Sequence, residues 1–294
     1  MNDISPHSGP GTGTEPMLGT GCRAETAHTF AVHGTRLHYW TAGTATAPLV
    51  VLTHGAGADH RMFDPQIPAL LAAGYRTLRW DVHHHGLSTS RTRRFRIADA
   101  ADDLRALLTT CPEPWPVVLL GQSIGGYIAQ EYLRRHPEDV AALVVIGSTS
   151  STLPVTRGER ARLALSLPLL RLMPYDRLAD RMADAAAWTP QARAHLREAF
   201  RRMGRRAFLT VWEGVTRTLT EDPEYRIDKP QLLLCGEYDG VGTVKASMQR
   251  WNRRDPHSEL RVLPDAGHVA NLDAPVMVNQ MIVDFLSGLK THAG

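Results

Sequence analysis

A serine stands at the centre of a short glycine-rich motif that follows an apolar run. Residues 121–125 have the pattern G-x-S-x-G around Ser123 and come directly after the run V-V-L-L. A strand that turns sharply into a helix at such a motif holds the serine at the carboxyl edge of a sheet, in a strained backbone conformation. Glycines are needed on both sides because side chains there collide in so tight a turn. We therefore predict that Ser123 is a nucleophile.

A carboxylate follows a later strand-like run. Asp239 lies in the segment G-E-Y-D-G, directly after Q-L-L-L-C. The carboxyl ends of parallel strands are where such sheets place their sites, so this carboxylate is expected near Ser123. We assign Asp239 as the acid of a catalytic triad. Glu237, two residues earlier, is the rival and is interpreted as a structural loop residue.

A histidine follows the last strand-like run. The chain contains 14 histidines, but His268 is the one in a short glycine-containing loop, P-D-A-G-H, after L-R-V-L. Histidine can take a proton from serine near neutral pH, and a carboxylate fixes its tautomer. We assign His268 as the general base and interpret its neighbours Asp265 and Asp273 as loop or cap carboxylates.

Acyl transfer also requires N–H donors directed at the developing oxyanion. The segment H-G-A-G at residues 54–57 follows the apolar run L-V-V-L-T and can supply one donor from the backbone of Ala56. The residue after the nucleophile, Ile124, supplies the other. The pair Ala56 and Ile124 is thus the predicted oxyanion hole.

Strand-like and helix-like segments alternate from residue 28 onward, which predicts an α/β fold with a mostly parallel β-sheet covered by helices on both faces. Strands are predicted over 29–32, 37–41, 48–53, 75–80, 116–121, 140–147, 231–235 and 260–263. Helices are predicted over 65–73, 97–108, 125–136, 244–253 and 274–290. In the helix 97–108, Asp103 is expected on the polar side, as are residues 99, 102 and 105.

The sequence divides the chain into three parts. Residues 1–24 are rich in glycine, proline, serine and threonine and are predicted to be a disordered tail. Residues 25–152 and 224–294 form the predicted core. Residues 153–223 contain no convincing strand, and we interpret them as an inserted helical cap or lid. The bulky apolar residues of this cap either line an acyl pocket or seal its helices onto the core; they are Leu163, Leu167, Leu170, Met173, Met182, Trp188, Phe200, Met203, Phe208 and Trp212.

Composition excludes several classes of protein. The 33 basic and 30 acidic residues are mixed along the chain, for a net charge of +3, which argues against a nucleic-acid partner. The densest basic stretch, Arg201, Arg202, Arg205 and Arg206, is interpreted as a solvated helix face. The three cysteines are far apart, so we expect neither disulfides nor a zinc site and predict a cytoplasmic location. No apolar run is long enough for a membrane span, and the oligomeric state is left open.

Taken in order, these motifs resemble the α/β-hydrolase family over about residues 28 to 290. The resemblance implies a serine hydrolase that needs no cofactor and no metal. The family pattern D-x-R-G-x-G-x-S occurs at residues 81–88, but His83 replaces the usual arginine and His84 the usual glycine. Three consecutive histidines suggest a metal site, yet neighbours in an extended segment point to opposite sides, and no carboxylate partner is evident.

The predicted reaction is hydrolysis of a carboxylic ester, lactone or thioester of a small to medium apolar substrate through an acyl-enzyme. The same triad can also support carbon–carbon bond cleavage or acyl transfer. A non-catalytic binding protein on the same fold is a third hypothesis. The sequence does not name the substrate.

Overall fold

The computed structural model describes residues 25–90, 94–111, 116–217 and 221–291. Its centre is an eight-stranded sheet with the order β1-β2-β4-β3-β5-β6-β7-β8. The second strand pairs antiparallel with both of its neighbours, and all other pairs are parallel. The mostly parallel sheet is confirmed. The predicted tail, residues 1–24, lies outside the described residues, and so does Cys22.

Every predicted strand is present, with ends that shift by a few residues. The strands are β1 Thr26–Val32, β2 Thr35–Ala42, β3 Leu49–Thr53, β4 Arg76–Trp80, β5 Val117–Gln122, β6 Val140–Ile146, β7 Gln231–Gly236 and β8 Ser258–Leu263. Strands β3, β5 and β7 are buried along their whole length. This burial explains why they read as continuous apolar runs rather than as alternating patterns.

Helices cover both faces of the sheet. The core helices are α1 Ile67–Ala72, α2 Ile97–Leu108, α3 Ile124–Arg135, α8 Val244–Arg254, α9 Ala270–Asp273 and α10 Pro275–Thr291. Alternate residues of a strand join opposite hydrophobic clusters. Leu52 packs with residues of α1 and α10, whereas Val51 packs with residues of α2, α3 and α8. A substitution in either cluster therefore changes the packing of both the strands and the helices that form it.

The sequence prediction is wrong for one residue of α2, which was expected on the polar side of the helix. Asp103 is fully buried rather than solvent-facing. Its carboxylate oxygens lie 2.9 Å from His33 Nδ1 and 2.9 Å from His83 Nδ1. Two histidine partners make burial of this carboxylate tolerable, and the helical periodicity alone carries no sign of them.

The described residues between β6 and β7, where the helical insert was predicted, form four helices. They are α4 Arg157–Leu172, α5 Tyr175–Ala186, α6 Pro190–Met203 and α7 Arg205–Val215. Local chemistry defines two of their starts. Thr156 and Glu159 form a reciprocal capping box at α4, and the Thr189 hydroxyl accepts from an N–H in the first turn of α6.

This insert packs on the loops at the carboxyl edge of the sheet. Phe200 of α6 lies against Gly57, where a β-carbon would come within 1.9 Å of the ring. Gly214 of α7 packs against Phe95 in the same close manner, with 2.4 Å from a β-carbon to the Phe95 carbonyl oxygen. Because these loops follow β3 and β4, the insert sits on the edge that carries the predicted site.

Asp273, at the end of α9, fastens the insert to the histidine loop. Its carboxylate accepts hydrogen bonds from the N–H groups of Trp188, Thr189 and Gly267 and from the Thr189 hydroxyl, at 2.8–3.0 Å. Trp188 in turn stacks on Tyr238, with ring centroids 3.9 Å apart. The start of α6 is thus held to the loops that carry His268 and Asp239.

In the Asp273→Ala variant, three backbone N–H groups and a hydroxyl lose their acceptor, and we expect the free energy of unfolding to fall by about 1–3 kcal/mol. Urea denaturation measures this loss. Asp284→Ala, an exposed site on α10, is the matched control and should shift stability by less than about 0.5 kcal/mol. Equal stability of the two variants would contradict the fastening role.

Within the described ranges, no helix combines the length and the apolar character that a membrane crossing requires.

Candidate active site

Ser123 occupies the junction between β5 and α3 in a backbone conformation that L-residues rarely adopt. Its φ is 52° and its ψ is −115°. The Ser123 N–H donates to Ile146 O at 2.9 Å, and the Ser123 carbonyl accepts from Gly126 N at 2.9 Å. These bonds tie the serine to β6 on one side and to the first turn of α3 on the other. The strained turn predicted from the motif is therefore present.

Two glycines make this turn possible. A β-carbon at Gly121 would lie 2.3 Å from Gly125 O, and one at Gly125 would lie 2.0 Å from Thr53 O. Both distances are far below van der Waals contact, and the obstacles are backbone atoms that cannot rotate away. The motif's glycines are required by close packing of β5, α3 and β3, as the sequence predicted.

The loops after β7 and β8 bring a histidine and a carboxylate together. His268 Nδ1 lies 3.0 Å from Asp239 Oδ2, and the Asp239 carboxylate is fully buried. The other carboxylate oxygen accepts from Val241 N at 3.0 Å. Glu237, by contrast, is exposed. The geometry therefore pairs His268 with Asp239 rather than with the rival carboxylate.

Gln122 links the serine to the histidine loop, a role that the sequence did not reveal. Its side-chain Nε2 donates to His268 O at 3.1 Å, and its side chain also packs against Gly55. Within the described chain, Ser123 Oγ makes no hydrogen bond to His268. Such contacts are often long without substrate and tighten when it binds. Gln122 occupies a variable position of the motif, so no pattern signalled it.

Two backbone amides near the serine have no acceptor among the residues that the structure describes. Ile124 N–H and Ala56 N–H make no hydrogen bond to any described residue, although Ile124 is buried. The loop of Ala56 touches the elbow, since a β-carbon at Gly55 would lie 3.3 Å from Ser123 Cβ. Buried amides are almost always paired, so unpaired ones beside a serine are available to an incoming oxyanion.

His54, which begins the H-G-A-G segment, is held in one tautomer. Val82 N–H donates to His54 Nε2 at 3.0 Å, which leaves Nδ1 to donate to Gly55 O at 2.8 Å. Burial lowers the pKa of His54, with Asp81 opposing the shift. The neutral ring of His54, which makes two hydrogen bonds, thus joins the loop after β3 to the loop after β4.

The loop that departs from the family pattern is a turn, not the extended segment that was expected. His84 stands where glycine is usual and has a φ of 72°, in the left-handed region that favours glycine. The neighbouring Gly86 is indispensable, because a β-carbon there would lie 2.1 Å from Asp81 Oδ2. That carboxylate holds the loop through Leu87 N and His60 N, each at 2.8 Å.

The three consecutive histidines do not converge on a metal site. His83 and His85 are fully buried, and in both rings Nε2 lacks a hydrogen-bond partner among the described residues. In the described part of the chain, the single group with ligand atoms close enough for a metal is His136, Glu138 and Asp139. It lies at the end of α3, and Asp139 there already accepts from Tyr132 at 2.9 Å.

Burial holds the pKa of His85 well below its ordinary value of 6.5, and His54 adds to the shift. Above about pH 6.5 the ring is neutral in both the folded and the unfolded state, and its contribution to stability is complete. As the pH falls below 6.5, the unfolded chain takes up the proton first, so stability declines.

We predict that His85→Asn reduces the loss of stability between about pH 6.5 and 5.5 by about 1 kcal/mol, the contribution of one proton. Urea denaturation across this range measures the slope. The control is His257→Asn, at an exposed position, which should keep the wild-type slope. If the His85→Asn slope equals that of the control, the buried ring does not couple folding to pH.

Comparisons with known proteins agree with the fold. A family model of the alpha/beta hydrolase fold matches residues 48–275. The chain is 27% identical over 275 residues to the AB hydrolase superfamily protein YfhM of Bacillus subtilis, covering 86% of this chain and 95% of that protein. It is 25% identical over 262 residues to 3-oxoadipate enol-lactonase 2 of Acinetobacter baylyi, covering 86% and 94%. A thermophilic esterase from Thermogutta terrifontis superposes with a TM-score of 0.76 at 22% identity, over 91% of this chain and 99% of that chain. The chain belongs to the alpha/beta hydrolase family.

Proposed function

We propose that this protein is a serine hydrolase that cleaves a carboxylic ester, lactone or thioester through an acyl-enzyme. The observation that carries the proposal is the convergence at one sheet edge of a strained serine and a buried histidine–carboxylate pair. Ser123 follows β5, and Gln122 beside it bonds the loop of His268. The enol-lactonase and the esterase among the similar proteins support the same class of reaction.

The mechanism follows from the residue types. His268 accepts the proton of Ser123 Oγ as the oxygen attacks the substrate carbonyl, and Asp239 stabilises the imidazolium that forms. The N–H groups of Ala56 and Ile124 donate to the oxyanion of the tetrahedral intermediate. Collapse of this intermediate expels the leaving group, which takes the proton from His268. Water then attacks the acyl-enzyme with the same histidine as base, and the acid is released.

The helical insert would serve as a lid that excludes water and shapes the acyl pocket. The position of α6 supports this role, because the helix contacts the loop after β3 that carries Ala56. Phe200 packs against Gly57, the residue after Ala56, and is buried. A bulky ring at this position limits the space beside the carbonyl of a bound substrate. By contrast, Trp188 stacks on Tyr238 and so fastens the insert to the core. Trp212 donates to the Ser166 hydroxyl at 2.8 Å and so joins α7 to α4 within the insert.

The direct test of the proposal is the Ser123→Ala variant. It should lose covalent labelling by a fluorophosphonate and lose at least about 10³-fold in kcat on p-nitrophenyl acetate, with the fold intact by circular dichroism. Undiminished turnover by a pure preparation would refute the assignment. Activity on a β-diketone but not on esters would instead favour carbon–carbon cleavage by the same triad.

The Asp239→Asn variant tests the acid. It should reduce kcat by about 10⁴-fold at neutral pH, because an amide favours the wrong tautomer of His268. Glu237→Gln is the matched control two residues away, and its kcat should stay within about twofold of wild type, since the exposed side chain does not contact the histidine. A larger loss in Glu237→Gln would reverse the assignment.

The Phe200→Ala variant tests the lid. Removing the ring opens space beside Gly57, so the acyl length with the highest kcat/KM should increase by a few carbons in a p-nitrophenyl ester series. Turnover of the acetate ester should remain within about threefold of wild type, because the reacting groups are untouched. An unchanged chain-length profile in a folded variant would exclude Phe200 from the acyl pocket.

A further inference from the structure

A wide groove of about 960 Å³ opens between the insert and the core. Its walls come from described residues on both sides of the gap at 91–93 in the loop after β4, from the start of α2, from one side of α3 and from the junction of α6 with α7. Among the described residues, seven arginines and two glutamates line it. The bulky apolar side chains that form a usual acyl pocket are scarce there. The groove therefore suits a charged ligand better than a hydrocarbon chain.

The carboxylates of the described lining do not balance its arginines, although Arg202 is paired from outside the groove with Asp59 and Glu198. Both of its glutamates already bind arginines: Glu131 pairs with Arg134, and Glu213 pairs with Arg217. Arg94 and Arg96 are exposed, and neither guanidinium has an ion-pair or hydrogen-bond partner among the described residues. Arginines left without carboxylate partners on a concave surface raise the local concentration of anions.

The junction of α6 and α7 places two more arginines beside the groove. Arg205 and Arg206 occupy the first turn of α7, where the helix dipole already places partial positive charge. The Arg205 guanidinium donates to the carbonyl oxygens of Met173 and Arg171, which satisfies its hydrogen bonds without supplying a counter-charge. Cations are the disfavoured choice at a helix start, and an anion in the groove offsets that cost.

The groove also reaches the neighbourhood of the elbow. Tyr127 lines it and stands four residues after Ser123 on α3, about 6 Å along the helix axis. His84 and Gly86, from the loop that bonds His54 through Val82, line the same wall. To reach these arginines, a substrate whose carbonyl lies at Ser123 would have to extend its distal group by about one turn of α3.

We propose that the natural substrate carries a carboxylate or phosphate group and that Arg94 and Arg96 bind it in this groove. This inference rests on the proposed hydrolase activity and specifies the class of substrate. Arginine suits the role because its planar guanidinium donates two parallel hydrogen bonds to such oxyanions. The four-arginine stretch 201–206, interpreted from sequence as a solvated face, contributes three of its members to the groove wall.

The test compares p-nitrophenyl esters of matched acyl length. One series ends in a methyl group, the second in a carboxylate and the third in a phosphonate, each with four to six acyl carbons. We expect kcat/KM for the best anionic ester to exceed that of its neutral counterpart by about tenfold at low salt. Added NaCl at about 0.5 M should reduce this preference, because exposed charges are screened.

The double variant Arg94→Ala/Arg96→Ala should abolish most of the preference while leaving kcat/KM for the neutral ester within about twofold. Arg253→Ala, an exposed arginine on α8, is the matched control and should keep the full preference. Retained activity on the neutral ester shows that the double variant is folded. No preference in the wild type, or a preference that the double variant keeps, would overturn the proposal.

Failure of the hydrolase proposal is distinguishable from failure of this one. In the first case, the neutral esters are not turned over and Ser123 is not labelled by the fluorophosphonate. Calorimetric titration of Ser123→Ala protein with adipate measures anion binding without turnover. Binding that weakens about tenfold in the double variant supports the groove as an anion site, and absence of binding refutes it.

Discussion

The candidate site depends on one backbone constraint, the left-handed conformation of Ser123. Non-glycine residues avoid this region, at a cost of about 1–3 kcal/mol, so the surroundings must impose it. They do so by close packing. Because Gly121 and Gly125 have no side chains, β5, α3 and β3 pack so tightly that no β-carbon fits between them. The apolar strands and helices of both clusters hold that approach in place. Packing of the large core thus offsets the free-energy cost of one strained residue.

Much of this arrangement was predictable, because its causes are local. Buried parallel strands appear as continuous apolar runs, and tight turns demand glycine, so β3, β5 and β7 and the elbow were identified from short windows. That the site residues meet was expected from the rule that parallel strands end at a common edge, and their chain order agreed with the resemblance to the hydrolase family. Asp239 was chosen over Glu237 on the same ground, and the 3.0 Å contact with His268 agrees with that choice.

Other features depend on partners that are distant in sequence. Asp103 was expected on a polar face, but its carboxylate is buried and contacts the exposed ring of His33, 70 residues earlier. Asp273 and Gln122 act through backbone groups of other loops, which no residue pattern displays. His84 was recognised as a departure from the family motif, yet only the φ of 72° explains why glycine is usual there. Contacts of this kind arise from tertiary packing, and a linear pattern does not encode them.

The central claim is that Ser123, His268 and the amides of Ala56 and Ile124 act on one tetrahedral centre. A crystal structure of the protein inactivated by a small alkyl phosphonate measures this directly, since the adduct resembles the tetrahedral intermediate. We predict a bond from Ser123 Oγ to phosphorus and one phosphonyl oxygen about 2.7–3.1 Å from both amide nitrogens. We also predict that His268 Nε2 lies within hydrogen-bond distance of the serine or leaving-group oxygen. An adduct on another residue, or a phosphonyl oxygen directed away from both amides, would contradict the account.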